Sequence, residues 1–524
     1  MVKFNLLGRL SASPTKPTHK EAKSFDVKDL YDGPFGDPEE TQAAEFGLDE
    51  KLRQSYFWIV NNAIISPYYD IEYNTTPPQV YRTGDSKTSL TLPSDQSYSS
   101  FILIPLLTFA TRSKCLFIGG PGRGKTASAL LMGILAGYSA REVRRAMQHG
   151  HPQMTVADLL GNPLPADLVA AQNTDDIRIA WRRWLSMRVK IVDEYNRIPT
   201  RTQSALLTVM GDNYAEMFNQ IYECPNAAWF LTANDDQGGG TYQVIEALKD
   251  RIDVVVQALA FNSRFLEQLL LRIEEGVRPE DLMPAQIIFS EAEIGAMALA
   301  IRNIEVPEPV RRRIEFFASQ FEYSEYSGAQ FEYKTKDTSR LAGVAAHTLK
   351  ALDNGRDQIK DLGCQTLNGL SVRSLMSLLQ FAKAMAFFRG NSQVELEDVR
   401  QVLPFVFHSR LQADAQAAFF EMTENACFRS DKIGWLRHLF DAACLEYEQL
   451  RLDHDDIVVE LSKEFEQGLE GLSSGQVRKR LQRIEKAIAG LVEGKKMYGH
   501  LYEDIVKLKY LHQRYTNYLN WLES

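Results

Sequence analysis

Residues 119–126 read GGPGRGKT, and no other stretch constrains this chain as strongly. The octet fits the pattern G-x-x-x-x-G-K-[ST]. It follows the apolar run CLFI and opens the helical stretch ASALLMGILAG, the strand–loop–helix setting in which the pattern acquires physical meaning. Gly119, Gly122 and Gly124 let the backbone curl until successive N–H groups point inward around phosphate oxygens, and the helix that follows aims its positive end at the same anion. The expected phosphate loop therefore comprises Gly119, Gly120, Pro121, Gly122, Arg123, Gly124, Lys125, Thr126 and Ala127. Lys125 is expected to face solvent until a ligand arrives and then to reach the β- and γ-phosphates. Thr126 offers its hydroxyl to a magnesium ion.

Downstream, VKIVDE sets Asp193 and Glu194 at the end of an apolar run, the edge at which open α/β sheets bind their ligands. Asp193 suits magnesium, held through water because that ion sheds its shell reluctantly, and Glu194 suits a carboxylate that polarises an attacking water. CLFIG (115–119), VKIV (189–192), AWFLT (228–232) and DVVV (253–256) are short, continuous apolar runs separated by helical stretches. That alternation predicts an α/β fold, a parallel sheet with helices on both faces.

Around this unit the chain divides into five segments. Residues 1–45 form a flexible arm rich in Pro, Ser, Thr, Lys and Gly, whose basic start could contact anionic lipid or an acidic protein. Residues 46–110 are a helical and loop lead-in, 111–261 the nucleotide-binding α/β domain, 262–411 an all-α region with a polar, tyrosine-rich insertion near 321–338, and 412–524 a helical extension. In the last segment Leu436, Phe440, Ala443, Tyr447 and Leu450 recur at four-three spacing. So do Val477, Leu481, Ile484, Ile488 and Leu491, then Leu501, Ile505 and Leu508, and the spacing predicts antiparallel helical hairpins or a short coiled coil, either a helix-bundle spacer or a partner-docking arm.

Charge and cysteine content narrow the function classes. With 59 Lys and Arg against 68 Asp and Glu, a net charge of −9, the chain lacks the basic footprint of a nucleic-acid binder. Five cysteines with no Cys-x-x-Cys pair argue against a zinc ribbon or a disulfide framework, and they read as reduced core thiols. His149 and His151 read as structural rather than metal-ligating. No apolar stretch is long enough to span a bilayer, and the N-terminus lacks the apolar core of a secretory signal, so a cytoplasmic protein is expected.

The ordered motifs resemble those of AAA+ ATPases, and among them the MoxR group of the helix-2-insert clade. The acidic run continues as DEYNRIPTRTQSALLTVM. Ala233-Asn234 after AWFLT resembles the sensor-1 position, GTYQVIEALKDRID the segment that carries an arginine finger, and GLSVRSLMSLLQFAKAMAFFRG the lid helix that carries a sensor-2 arginine. The resemblance covers about residues 100–411 and implies an AAA+ P-loop sheet followed by an all-α lid. It also implies catalytic roles for Glu194, Asn234, Arg251 and Arg373, with ATP and Mg2+ as cofactors and Thr126 and Asp193 on the metal. Arg197 either reaches a neighbouring subunit's phosphates or pairs with an acid. The segment at 164–184 is shorter than the hairpin the group usually carries there, and 1–95 and 412–524 match nothing in it.

The same resemblance implies a homo-oligomeric ring, expected as a hexamer, in which Arg251 completes the site of the adjacent subunit. The implied activity is ATP-driven remodelling of a protein client to mature, activate or assemble it, with cofactor or metal insertion as one form. A von Willebrand A domain protein is the implied partner, with no nucleic acid and no membrane span. Two alternatives stay open: a nucleic-acid motor, disfavoured by the acidic balance, and a ring assembly factor that uses ATP binding alone, disfavoured by the intact Glu194.

Overall fold

The computed structural model describes residues 47–64, 68–74, 77, 79–82, 84, 89–92, 96–166, 177–234, 246–259, 263, 266–276, 278–321, 359, 361–453, 456–493 and 500–524. The arm at 1–45, most of the insertion at 321–338, residues 167–176 and the GTYQV part of the finger segment lie outside them. Two compact units result: residues 1–305 with 377–405, and residues 306–376 with 406–524.

The first unit is built on a five-stranded parallel sheet. Its strands are β1 (Lys114–Ile118), β2 (Gln148–His149), β3 (Val189–Asp193), β4 (Ala228–Ala233) and β5 (Val254–Gln257), in the spatial order β5-β1-β4-β3-β2. Every residue of the central strand β4 is buried, so both faces of the sheet must be covered. The helix α1 (Leu48–Trp58) packs against α2 (Ser100–Thr111), itself buried at all 12 positions, and α2 lies along β1, β4 and β5. The helix α3 (Lys125–Leu135) leaves the loop after β1 and packs on β3 and β4. Four of the five strands follow the apolar runs. β2 does not, because it is a two-residue edge strand with no apolar run to betray it.

Two further features of this unit had no clear signal. After α4 (Thr200–Asp212), strands Tyr214–Met217 and Gln220–Glu223 form an antiparallel hairpin whose turn residues, Phe218 and Asn219, both have positive φ (50° and 60°). Two-residue hairpins favour such turns, but Phe-Asn is not the Asn-Gly that announces them. Residues 377–405 join this unit through a buried cluster. Tyr73 Oη donates to Asp398 Oδ1 at 2.9 Å, Arg389 pairs with the same oxygen at 2.9 Å, and its guanidinium lies 3.9 Å from the Tyr73 ring centroid.

Lys190 interrupts the apolar run VKIV yet is only 1% exposed. Its Nζ donates to Met187 O at 2.6 Å and sits 5.9 Å from the Trp229 ring centroid. Burial pushes its pKa down from 10.5 to about 8. Because the folded value is the lower one, the unfolded chain binds more protons between those limits, and stability rises as pH climbs from about 8 toward 10.5. The expected result is a positive slope of unfolding free energy over that window, totalling at most about 3 kcal/mol. Lys190→Met should lack that contribution. Equal pH profiles for the two proteins, followed by denaturant unfolding, would refute it.

The second unit is helical. Phe317, on Glu308–Ser319, stacks on Phe407 at 6.0 Å and meets Phe440 edge-on at 5.4 Å. Three helices, Ile457–Glu466, Ser474–Val492 and His500–Glu523, close around Val458, Leu461, Val477, Ile484, Leu508 and Tyr515, the bundle that the four-three spacing predicts. Arg312 ties the first helix to this bundle through Asp456 at 2.8 Å, and Asp456 also caps the bundle by accepting from Val458 N and Val459 N. Cys427 is exposed, so it is not a core thiol; Cys115 and Cys224 are buried. Among the described residues no helix is long and apolar enough to cross a membrane.

Candidate functional site

The loop between β1 and α3 takes its shape from glycines that no other residue replaces without strain. Gly119, Gly122 and Gly124 have φ of 136°, 72° and 80°, and Gly124 caps the N-terminus of α3. A Cβ on Gly119 would also lie 2.7 Å from Ala258 O on the strand-end beside it. Gly119→Ala is therefore expected to destabilise the unit by about 1–3 kcal/mol and to weaken nucleotide binding together with it. Thermal unfolding and a nucleotide titration test this, and wild-type values in both would count against the loop geometry.

The loop opens on a cavity of about 330 Å3 lined by Pro121 to Ala127, Asp193, Glu194, Thr232 and Asn234. Its side chains form one bonded line. Lys125 is buried, against the expectation that it faces solvent, because its ammonium folds back onto the loop. Nζ donates to Gly119 O, to Gly120 O at 2.8 Å and to Asn234 Oδ1 at 2.9 Å. Asn234 Nδ2 donates to Glu194 Oε1 at 2.9 Å, and Arg197 Nη1 donates to Glu194 Oε2 at 2.9 Å. Of the two roles open to Arg197, this structure displays the acid pair.

Asp193 lies behind Thr126, whose Oγ1 donates to Asp193 Oδ1 at 3.0 Å. A hydroxyl and a carboxylate side by side beneath an anion loop are hard oxygen donors that fit magnesium, which prefers one or two protein oxygens plus phosphate and water. Thr232 was not legible as a site residue, since it ends an ordinary strand run. It donates from Oγ1 to Asp193 Oδ1 at 2.6 Å and accepts from Glu194 N at 2.9 Å, fixing both acids. Glu194 itself has φ of 52°, and a Cβ on Gly150 would stand 2.2 Å from its carbonyl oxygen, so β2 packs directly beneath this turn. His149 Nδ1 lies 3.4 Å from Asp193 Oδ2.

A second cavity, of about 500 Å3, shares Gly122, Gly124 and Ala127 with the first. Ile64, Phe101, Ala258, Leu269 and Ile273 give it apolar walls, and the size and lining suit a nucleoside next to its phosphates. Periodicity marks such residues as core, so this half of the site was unread.

The two arginines are placed elsewhere. Arg251 donates to Leu207 O and lies against Gly211 on α4; it is not among the residues lining the phosphate cavity. Arg373 belongs to the second unit, exposed at the start of the helix Val372–Arg389, and its carbonyl accepts from Arg410 Nη1 at 3.5 Å.

The strand order, the loop between β1 and α3 and the acidic pair ending β3 define a AAA+ nucleotide-binding module. Residues 114–254 match the model of the ATPase family associated with various cellular activities, and residues 364–426 match the AAA lid domain. The chain is 25% identical over 222 residues to Chaperone MoxR1 of Mycobacterium tuberculosis, covering 42% of this chain and 50% of that one. It is 23% identical over 328 residues to Protein MoxR of Paracoccus denitrificans, covering 59% of this chain and 83% of the relative. The chain thus spans about half the length of the first relative. A solved structure from Cytophaga hutchinsonii described as a candidate ATPase matches 64% of this chain and 89% of its own, with 20% identity and a TM-score of 0.44. Together with the ordered motifs, these matches support a MoxR-type AAA+ ATPase.

Proposed function

We propose that this protein hydrolyses ATP within a homo-oligomeric ring, a hexamer, and uses the cycle to remodel a protein client with the help of a von Willebrand A domain partner. The observation that carries the reading is the continuous line from Lys125 through Asn234 to Glu194 along the phosphate cavity, which adjoins a nucleoside-sized one. Gly119 to Ala127 bind the phosphates, and Lys125 leaves its carbonyl partners to meet them. Thr126 and Asp193 hold Mg2+, which supplies charge neutralisation on the phosphates when bound. Glu194 accepts the proton of the attacking water and Asn234 positions that carboxylate. Arg251, outside its own cavity, serves the adjacent subunit, and Arg373 reports nucleotide state to the lid. The protein works in the cytoplasm.

Phosphate release with Mg2+ and ATP tests the reading. Turnover should rise when a protein extract containing the client is added and stay level with single-stranded DNA or RNA. Stimulation by nucleic acid alone would point to a motor on that substrate. ATP binding without turnover would point to an assembly factor.

A further inference from the structure

Beside the nucleotide site lies a concavity of about 510 Å3 with a distinct chemistry. Arg145, Arg182 and Arg183 rim it together with His149 and His151, over an apolar floor that includes Met154 and Trp184, both buried. In a chain with a net charge of −9 this concentration of cations is a local exception. Its one lining carboxylate, Asp158, is occupied: Oδ2 accepts from Thr155 N at 3.0 Å and from Thr155 Oγ1 at 2.7 Å. Arg183 pairs with Glu142 at 2.6 Å, and Arg182 Nε donates to Asp158 O at 3.1 Å. Through His149, 3.4 Å from Asp193, the concavity backs onto the phosphate cavity.

The complementary surface is on the 214–223 hairpin. Glu216 stands opposite Ile221 and Tyr214 opposite Glu223, so these four share one face. Glu216, Ile221 and Glu223 are exposed there, Ile221 at 61%. The other face is anchored within its own unit: Ala215 is buried, Tyr222 packs on Trp181 at 5.5 Å, and Gln220 Nε2 donates to Ile177 O. The outward face is thus an isoleucine between two carboxylates, the inverse of a cationic rim over an apolar floor.

The helix α4 touches both surfaces. Near its start, Thr202 Oγ1 donates to Met154 O at 2.7 Å, on the floor of the concavity. Toward its end lie Leu207 and Gly211, which hold Arg251, and the hairpin follows directly. The hairpin's inward face rests on Trp181, next to Arg182 of the rim, while its outward face stays exposed, so one copy's hairpin does not fill its own concavity. Two unlike surfaces of one chain pair head to tail, the arrangement that closes rings when the rotation allows.

We infer that the 214–223 hairpin of one copy seats in the basic concavity of the next copy, with Glu216 and Glu223 against Arg145 and Arg182 and Ile221 toward Met154 and Trp184. The contact rests on the ring reading above and deepens it. It brings the end of α4 that carries Arg251 up to the side of the neighbour where Asp193 and Glu194 lie. The occupant is therefore a second copy of this chain.

Charge reversal tests the contact in the full-length chain. One variant carries Arg145→Glu with Arg182→Glu, the other Glu216→Lys with Glu223→Lys. Alone, each sets like charge against like at every interface. Mixed one to one, each hairpin finds an oppositely charged concavity in an alternating ring. Assembled mass is read with ATP and Mg2+ at physiological salt, after each variant is shown to bind ATP as wild type does. Each variant alone should need at least tenfold more protein to assemble, and the mixture should assemble near the wild-type concentration. Wild-type-like assembly of either variant alone, or a mixture no better than its components, overturns the contact while leaving the ring intact. A wild-type protein that stays monomeric overturns the ring reading itself. Where a reversal variant fails to bind ATP, Arg145→Ala and Glu216→Gln replace it, and unchanged assembly of both overturns the contact equally.

Discussion

Lys125→Ala is expected to lower ATP affinity about a hundredfold while the folded protein keeps its thermal stability. The ammonium lines the phosphate cavity and already points at the loop, bonded to Gly119 O, Gly120 O and Asn234 Oδ1. Charge-assisted hydrogen bonds contribute about 1.5–3 kcal/mol each, and losing one or two against a polyphosphate accounts for that factor. Of the three acceptors left behind, Asn234 Oδ1 lines the open phosphate cavity and keeps its Glu194 partner through Nδ2. Lys125→Arg should not rescue binding, because a guanidinium is too broad for the bend between Gly119 and Asn234. Titration with a fluorescent ATP analogue checks the affinity and thermal unfolding checks the fold. Wild-type affinity in the alanine variant would remove the loop from the phosphate-binding role.

The variant also exposes a coupling that the sequence pattern does not contain. Lys125 and Glu194 are joined by the two ends of one amide, Asn234 Oδ1 on the lysine and Nδ2 on the carboxylate. In the proposed cycle a phosphate would draw the ammonium away, the amide would lose one of its two anchors, and Glu194, proposed to polarise water, would feel the change. The motif gives the residue types and their order, but this bond depends on strands β3 and β4 lying side by side, which places Asn234 next to Glu194.

What could be read in advance follows from how each feature is stabilised. The strands β1, β3, β4 and β5 are buried by helices on both faces, so each leaves a continuous apolar run in the chain. Lys190 breaks one such run without ending the strand, because its stem is apolar and a backbone carbonyl, Met187 O, receives its ammonium. The edge strand Gln148–His149 is held by two residues of pairing to β3 and leaves no pattern at all. Thr232 and His149 are likewise ordinary residues in sequence; adjacency in the sheet makes them partners of Asp193. The pairing of Tyr73 with Asp398 joins positions 325 apart, which no local periodicity can indicate, and it carries part of the helical stretch after Ser377 into the first unit. Local motifs were legible because their chemistry is local. Long-range partners were not.

The division of catalytic labour between subunits gives the last expectation. Glu194→Gln keeps the side-chain shape and the Thr126–Asp193 pair, yet removes the carboxylate proposed to accept the water's proton. That variant should bind ATP and hold it. Arg251→Ala removes a guanidinium that sits on Leu207 O and Gly211, away from its own phosphate cavity, so it too should bind ATP. Its turnover should fall by about 10³ to 10⁵, the usual cost of losing an arginine finger. If Glu194 acts in its own site and Arg251 in the next, mixing the two inactive proteins creates complete sites. At some interfaces the intact Glu194 of an Arg251→Ala subunit meets the Arg251 of a Glu194→Gln neighbour. Phosphate release measured across mixing ratios, after subunit exchange is verified by a change in labelled-ring mass, should peak at intermediate composition. An Arg251→Ala protein that turns over ATP at the wild-type rate would remove Arg251 as the finger. Full exchange with no recovered activity at any ratio would mean that no complete site forms across the interface or that every subunit must fire together. Rings doped with a single Arg251→Ala subunit separate those cases: loss in proportion to the variant's share marks independent sites, and loss of all activity at low share marks a concerted ring.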